Sequence, residues 1–170
     1  MDRISSIKIA MDNEQREEDF YLEEAKRSSN PVVIKLMKKL AAEEEDHKAW
    51  ISKLHDKLVS DGEWPKDVEI GVEDSTIEEE LKKLDFKDNA TSVHDDSDIA
   101  CLKKAIAFEK DAENFYNELA KKCENPQEAG FFKFLAKTEL EHGLSIADSL
   151  AYLEDPEAWF SSKERAGLDG

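Results

Sequence analysis

The chain has 170 residues, the size of one domain with room for a hydrophobic core, and its 41 Asp and Glu outnumber 24 Lys and Arg to give a net charge of −17. That surface repels DNA, RNA and acidic membranes, so nucleic-acid binding is the first reading to be excluded. Apolar residues make up 39% and charged residues 38%, yet six glycines and four prolines are few, which fits a helical protein with a charged exterior better than a disordered chain. The opening residues Met1-Asp2-Arg3-Ile4-Ser5-Ser6 lack the apolar core of a secretion signal, and no apolar run approaches the ~18 residues of a membrane span. The cytoplasm is therefore the expected address.

The first helix is expected over residues 4–28 and must stop at Asn30-Pro31, where a capping side chain stands beside a proline suited to the first helical position. A second helix is expected over 31–60, with Val33, Met37, Leu40, Glu44, His47, Ile51, Leu54 and Leu58 on one face at 3-4 spacing. Residues 60–97 carry 13 acidic and 4 basic side chains with Gly62, Pro65 and Gly71, and read as an acidic crossover over 61–97. Within it, Thr76-Ile77-Glu78-Glu79 resembles a capping box and predicts a short helix with Ile77, Leu81 and Leu84 on its apolar side.

Helices over 98–123 and 126–153 follow, broken at Asn125-Pro126, and Asp155-Pro156 starts a short helix over 156–166 that carries Trp159 and Phe160 for packing at the bundle end or at a dimer contact. The second pair of long helices copies the first. Residues 10–55 and 105–150 match without gaps at an offset of 95, identical at 16 of 46 positions. The matched pairs include Glu14/Glu109, Tyr21/Tyr116, Asn30/Asn125, Glu44/Glu139 and His47/His142. The fold class is therefore all-α, a four-helix bundle of two duplicated hairpins (4–60 and 98–153) forming one domain over 1–170. The second hairpin is expected to begin at the end of the bundle where the first began.

Glu44 and His47, and again Glu139 and His142, interrupt the apolar stripe, whereas Glu43, Glu45, Asp46 and Glu141 read as solvated charge. Glu14 precedes Asn30 by 16 residues and Glu44 follows it by 14, so at about 1.5 Å per residue both lie at one level of the hairpin. Glu109 and Glu139 stand in the same relation to Asn125. Packing the hairpins about a pseudo-twofold axis thus gathers Glu14, Glu44, Glu109, Glu139, His47 and His142 in one layer. Four buried carboxylates each cost several kcal/mol to desolvate and repel one another, so cations are required. Two divalent ions balance four carboxylates with both imidazoles neutral. Oxygen-rich ligation with one imidazole per ion favours iron or manganese over a structural zinc.

The bland reading of the six residues is a network of Glu-His hydrogen bonds without metal. Tyr21 and Tyr116, two turns beyond Glu14 and Glu109, read either as donors to a ligating carboxylate or as core packing. Glu18 and Glu113 recur in both halves and read as support for the site or as retained surface acids. His55 drifts off the site face and His94 lies in the crossover, so neither is expected to ligate. Cys101 and Cys123, about 33 Å apart if on one helix, read as free thiols.

Two Glu-x-x-His motifs in register with Glu14 and Glu109, the Glu14–Tyr21 and Glu109–Tyr116 spacings, and the Asp155-Pro156-Glu157-Ala158-Trp159-Phe160 tail resemble the rubrerythrin branch of the ferritin-like di-iron carboxylate family. A Glu on each of two helices and Glu-x-x-His on each of the others is the ligand pattern of such bundles. The resemblance covers residues 8–160 and implies two iron ions at the six residues, acting on hydrogen peroxide or dioxygen, in a protein expected to be a homodimer. The sequence departs from the family twice. The rubredoxin-type cysteines that feed electrons to rubrerythrins are missing from these residues, so an external donor such as a rubredoxin-type protein is implied. The extra Glu of peroxidase members is replaced by Ala112, while Glu17 stands at the matching place in the first helix, either as a further ligand or as an exposed acid. A ferritin-like iron-storage protein and a helical interaction module without catalysis remain as alternatives.

Overall fold

The computed structural model describes residues 3–65 and 96–168, and among them finds five helices and no strand. They are α1 (Arg3–Arg27), α2 (Pro31–Asp61), α3 (Asp96–Lys122), α4 (Pro126–Glu154) and α5 (Pro156–Leu168). The expected all-α bundle of two hairpins is the observed one, with helix ends within two residues of expectation. The capping box at Thr76, with Ile77, Leu81 and Leu84, lies outside the described residues, as does His94.

Both hairpin turns are set by the same local chemistry. The side chain of Asn30 accepts hydrogen bonds from the backbone N–H of Val32 (2.9 Å) and Val33 (3.4 Å), and Pro31 fills the first helical position. Asn125 repeats this toward Gln127 (2.8 Å) and Glu128 (3.2 Å), with Pro126 behind it. At the far end of α2, Gly62 takes the left-handed conformation (φ 73°) and returns its N–H to Leu58 O at 3.0 Å, a conformation that other residues adopt at a cost.

α1 packs on α2 and α3 on α4, and the hairpins meet through α1 with α3 and α2 with α4. Tyr21 reaches Glu109 while Tyr116 reaches Glu14, so α1 and α3 run antiparallel. Arg27 lies 3.5 Å from Asp98 and Arg3 lies 2.8 Å from Glu128. The second hairpin therefore begins where the first one turns, and the expectation that it begins where the first began is corrected. The reason is the pseudo-twofold axis itself: standing perpendicular to the helices, it exchanges α1 with α3 and reverses direction. The ligand layers coincide because they lie near mid-height, whichever end leads.

The core is split in two. Val33, Leu36, Met37, Leu40, Leu102, Ala105, Ile146 and Leu153 form one apolar block, and Ile7, Ile51, Leu54, Ala112, Leu119, Phe131, Phe132 and Leu135 form the other. Positions 44–47 and 139–142 lie between them in sequence, and their layer lies between the blocks in space. Trp159 and Phe160 stack edge-on against Tyr152 at 5.5 and 6.2 Å, closing one bundle end, and the Trp159 indole donates to Asp148 at 3.1 Å. Among the described residues, no helix is long and apolar enough to cross a membrane.

Candidate metal centre

The six expected residues come together. Glu14, Glu44, Glu139 and His142 are fully buried, and Glu109 and His47 are each 1% exposed. Nδ1 of His47 lies 3.0 Å from Glu44 and 3.2 Å from Glu14, and Nδ1 of His142 lies 2.9 Å from Glu44 and 3.6 Å from both Glu109 and Glu139. The two rings stack with centroids 5.6 Å apart. Two overlapping sets of donors result: Glu14, Glu44, His47 and Glu139, and Glu44, Glu109, Glu139 and His142, the ligand atoms of each within 4.8 Å of one another. Glu44 and Glu139 belong to both sets, so a pair of ions held there would share them.

Satisfaction of hydrogen bonds supplies a test of whether the cluster suits cations. One oxygen each of Glu14, Glu17, Glu44 and Glu109, both oxygens of Glu139, and Nδ1 of His142 are buried without a hydrogen-bond partner. Buried polar atoms are nearly always paired, and a concentration of acceptors aimed at one centre is what a cation site requires. The donor set fits oxygen-preferring cations.

Electrostatics report the same frustration. Burial raises the carboxyl of Glu139 well above its usual range, and the charges of Glu14 and Glu44 push the same way. Glu14 is also raised, first by burial and then by the charge of Glu44, against the opposing pull of His47. Burial alone would raise Glu44, but the charge of His142, with the hydrogen bond from His47 and its charge, overturns this and holds it well below the usual carboxylate range. Burial disfavours the charged form of His47, yet the carboxylates of Glu14 and Glu44 facing its Nδ1 outweigh it and push the ring to about 10. His142 is raised well above its usual value against the cost of burial, with the charges of Glu44 and Glu109 responsible. The imidazoles are thus drawn toward carrying positive charge that bound cations would otherwise supply.

Both tyrosines are donors, and they act across the bundle: Tyr21 to Glu109 and Tyr116 to Glu14, each reaching the opposite hairpin's outer carboxylate. Burial, followed by the charge of those same carboxylates, raises both phenols well above their usual value, so they remain donors. Glu17 is buried at 2% exposure, which removes the exposed-acid reading. Burial and then the charge of Glu139 raise its carboxyl well above the normal range.

Glu43 requires a correction. Expected among the solvated charges, it is buried, and its Oε2 lies 3.1 Å from Nε2 of His142. Its signal was available, since Leu40, Glu43 and His47 follow a 3-4 spacing just as Leu40, Glu44 and His47 do. Glu18 pairs instead with Lys48 in a half-buried ion pair and Glu113 with Lys110 at the surface, and neither joins a donor set. His55 lies 3.3 Å from Asp56 and joins neither donor set. Cys101 is buried in α3 and Cys123 follows its end, both as free thiols; burial pushes them up to about 12 and about 11.

Comparison with known families agrees with this geometry. The family described as Rubrerythrin matches residues 6–97 and 100–167. Neither the curated proteins nor the solved structures contain a significant match.

Proposed function

The chain belongs to the rubrerythrin family, and from that premise we propose that it is a non-haem di-iron protein that reduces hydrogen peroxide with electrons from an external donor. The observation that carries this reading is the pair of overlapping donor sets sharing Glu44 and Glu139, with one oxygen of Glu44 and both of Glu139 buried and unpaired. Glu14 and His47 would complete one position, and Glu109 and His142 the other. Manganese suits the same donors, and iron is the choice that oxygen chemistry favours.

When bound, two ferrous ions supply the two electrons that cleave the O–O bond of peroxide, which with two protons yields two waters. The chain's own residues provide the setting. Tyr21 and Tyr116 hold Glu109 and Glu14 by hydrogen bonds and so fix the outer carboxylates. The apolar blocks above and below keep bulk water from the layer. Burial favours the protonated form of Glu17, a carboxyl whose Oε2 has no hydrogen-bond partner.

The donor must come from outside these 170 residues, because their two cysteines stand at the start of α3 and just past its end, too far apart to hold an electron-transfer iron. A rubredoxin-type protein has the right chemistry. A homodimer is the assembly this reading expects, and Leu140 and Leu144, exposed one turn apart on α4, offer apolar surface for it. Light scattering of the purified chain decides between dimer and monomer.

Anaerobic titration with ferrous iron, followed by stopped-flow mixing with peroxide and separately with dioxygen, tests the whole reading. About two ions per chain and a faster reaction with peroxide are expected, with turnover only when a donor is supplied. Binding of fewer than about one ion per chain rejects the metal site. A faster reaction with dioxygen points instead to an oxidase or ferroxidase of the iron-storage kind, for which Ala112, standing where peroxidase members carry a Glu, is the residue responsible.

A further inference from the structure

On the reading that the cluster holds two cations, we infer that Glu43 is a positioning residue for His142 and that it makes the two cation positions unequal. His142 stands between two groups of acceptors. Its Nδ1 faces Glu44 at 2.9 Å, with Glu109 and Glu139 at 3.6 Å, while Nε2 faces Glu43 Oε2 at 3.1 Å. Nδ1 is the atom on the cation side. Its lone pair is available to a cation only when the ring proton sits on Nε2, and Glu43 is the acceptor that keeps it there. The carboxylate is held in turn, since its Oε1 lies 3.4 Å from Nζ of Lys39, one turn earlier on α2. Lys39, Glu43 and His142 thus run from the half-buried edge of the bundle into the donor set.

The other half of the duplication lacks this device. At the offset of 95 the counterpart of Glu43 is Thr138, and its hydroxyl donates back to Phe134 O of its own helix at 3.2 Å. His47 also turns Nδ1 inward, toward Glu14 and Glu44, but the position that corresponds to Glu43 offers its ring no carboxylate. An anionic acceptor on the outer nitrogen both orients a ligating imidazole and strengthens it as a ligand. The ion at Glu109 and His142 is therefore the more tightly held of the two. Two halves that agree at all six cluster positions differ at the residue that supports one histidine.

The test uses the full chain with cobalt(II) as the probe, in two backgrounds that each leave one histidine. His47→Ala keeps the position supported by Glu43, and His142→Ala keeps the other. Glu43→Thr, which installs the residue the other half already carries, is expected to weaken the remaining ion about 10–100-fold in the His47→Ala background and to change nothing in the His142→Ala background. Glu43→Gln keeps an acceptor for the Nε2 proton and is expected to recover most of the loss. Proton NMR of the cobalt-loaded wild type should show one slowly exchanging imidazole N–H, lost in Glu43→Thr and kept in Glu43→Gln, a signature that a general loss of stability does not produce. An equal effect of Glu43→Thr in both backgrounds, or none in His47→Ala, overturns the inference and leaves the metal site standing. Cobalt binding of fewer than about one ion per wild-type chain removes the site and the inference together.

Discussion

Replacing Glu139 with Gln is expected to stabilise the protein in chelator and to destabilise it, relative to wild type, once metal is added. Both oxygens of Glu139 are buried without a hydrogen-bond partner, and burial and the charges of Glu14 and Glu44 disfavour its ionised form. Gln keeps the volume, removes the charge and offers N–H donors to those neighbours. An unsatisfied buried polar group costs about 1–3 kcal/mol. Relief of that cost raises Tm by roughly 2–12 °C in a chain of this size, where 1 kcal/mol corresponds to about 2–4 °C. Metal reverses the order, because Glu139 belongs to both donor sets. An ion present at about 100 times its Kd contributes about 2.7 kcal/mol, so two contribute about 5.4 kcal/mol, or roughly 10–20 °C. Wild type should gain that shift and Glu139→Gln little of it. Calorimetry with EDTA and then with anaerobic ferrous iron or manganese reads both halves. A Glu139→Gln protein that melts below wild type in EDTA would falsify the charge-frustration argument, and an equal metal-induced shift in both proteins refutes the shared ligand.

In chelator, stability should fall as pH rises. His47 and His142 are raised in the folded protein, as are the carboxyls of Glu14, Glu17 and Glu139, so each contributes stability that is present below its unfolded value and lost as pH climbs through its folded value. For His47 that window runs from 6.5 to about 10; urea unfolding across it should show a declining free energy, with a shallower slope in His47→Gln, and a flat profile in wild type contradicts the assignment. Tyr116→Phe deletes the buried donor to Glu14 and should cost about 1–3 kcal/mol in chelator, with Tyr21→Phe matching it through Glu109; thermal melts that leave either variant unchanged count against the cross-bundle hydrogen bonds. Asn30→Ala should cost about 1–2 kcal/mol and exceed Asn125→Ala, because Asn30 is fully buried and its two N–H partners have no water to turn to; equal losses in denaturant unfolding would show that burial adds nothing to the cap.

What can be read from the sequence alone is whatever a single helix decides. Asn30-Pro31 and Asn125-Pro126 mark the turns because capping bonds close within three residues, and the helix faces follow from a 3-4 spacing that needs no neighbour. The duplication extends this reach. It places Glu14, Glu44, Glu109, Glu139, His47 and His142 at one height, since equal distances from two like turns imply equal levels, and those six are the buried donors observed. Repetition is not sufficient, however, for Glu18 and Glu113 recur as faithfully and end in ion pairs with Lys48 and Lys110, in neither donor set.

The tertiary structure alone decided which neighbour each side chain meets. Tyr21 is two turns from Glu14 along its own helix, yet it bonds Glu109 on the other hairpin, because α1 and α3 run antiparallel about the pseudo-twofold axis. Glu43 and Glu44 both lie near one helix face, and a rotation of about 100° between adjacent residues separates a carboxylate common to both donor sets from one that meets the far nitrogen of His142. Helical periodicity tells which residues turn inward. The direction of the partner helices and the register at which they pack set what those residues find there, and those depend on contacts between segments roughly a hundred residues apart.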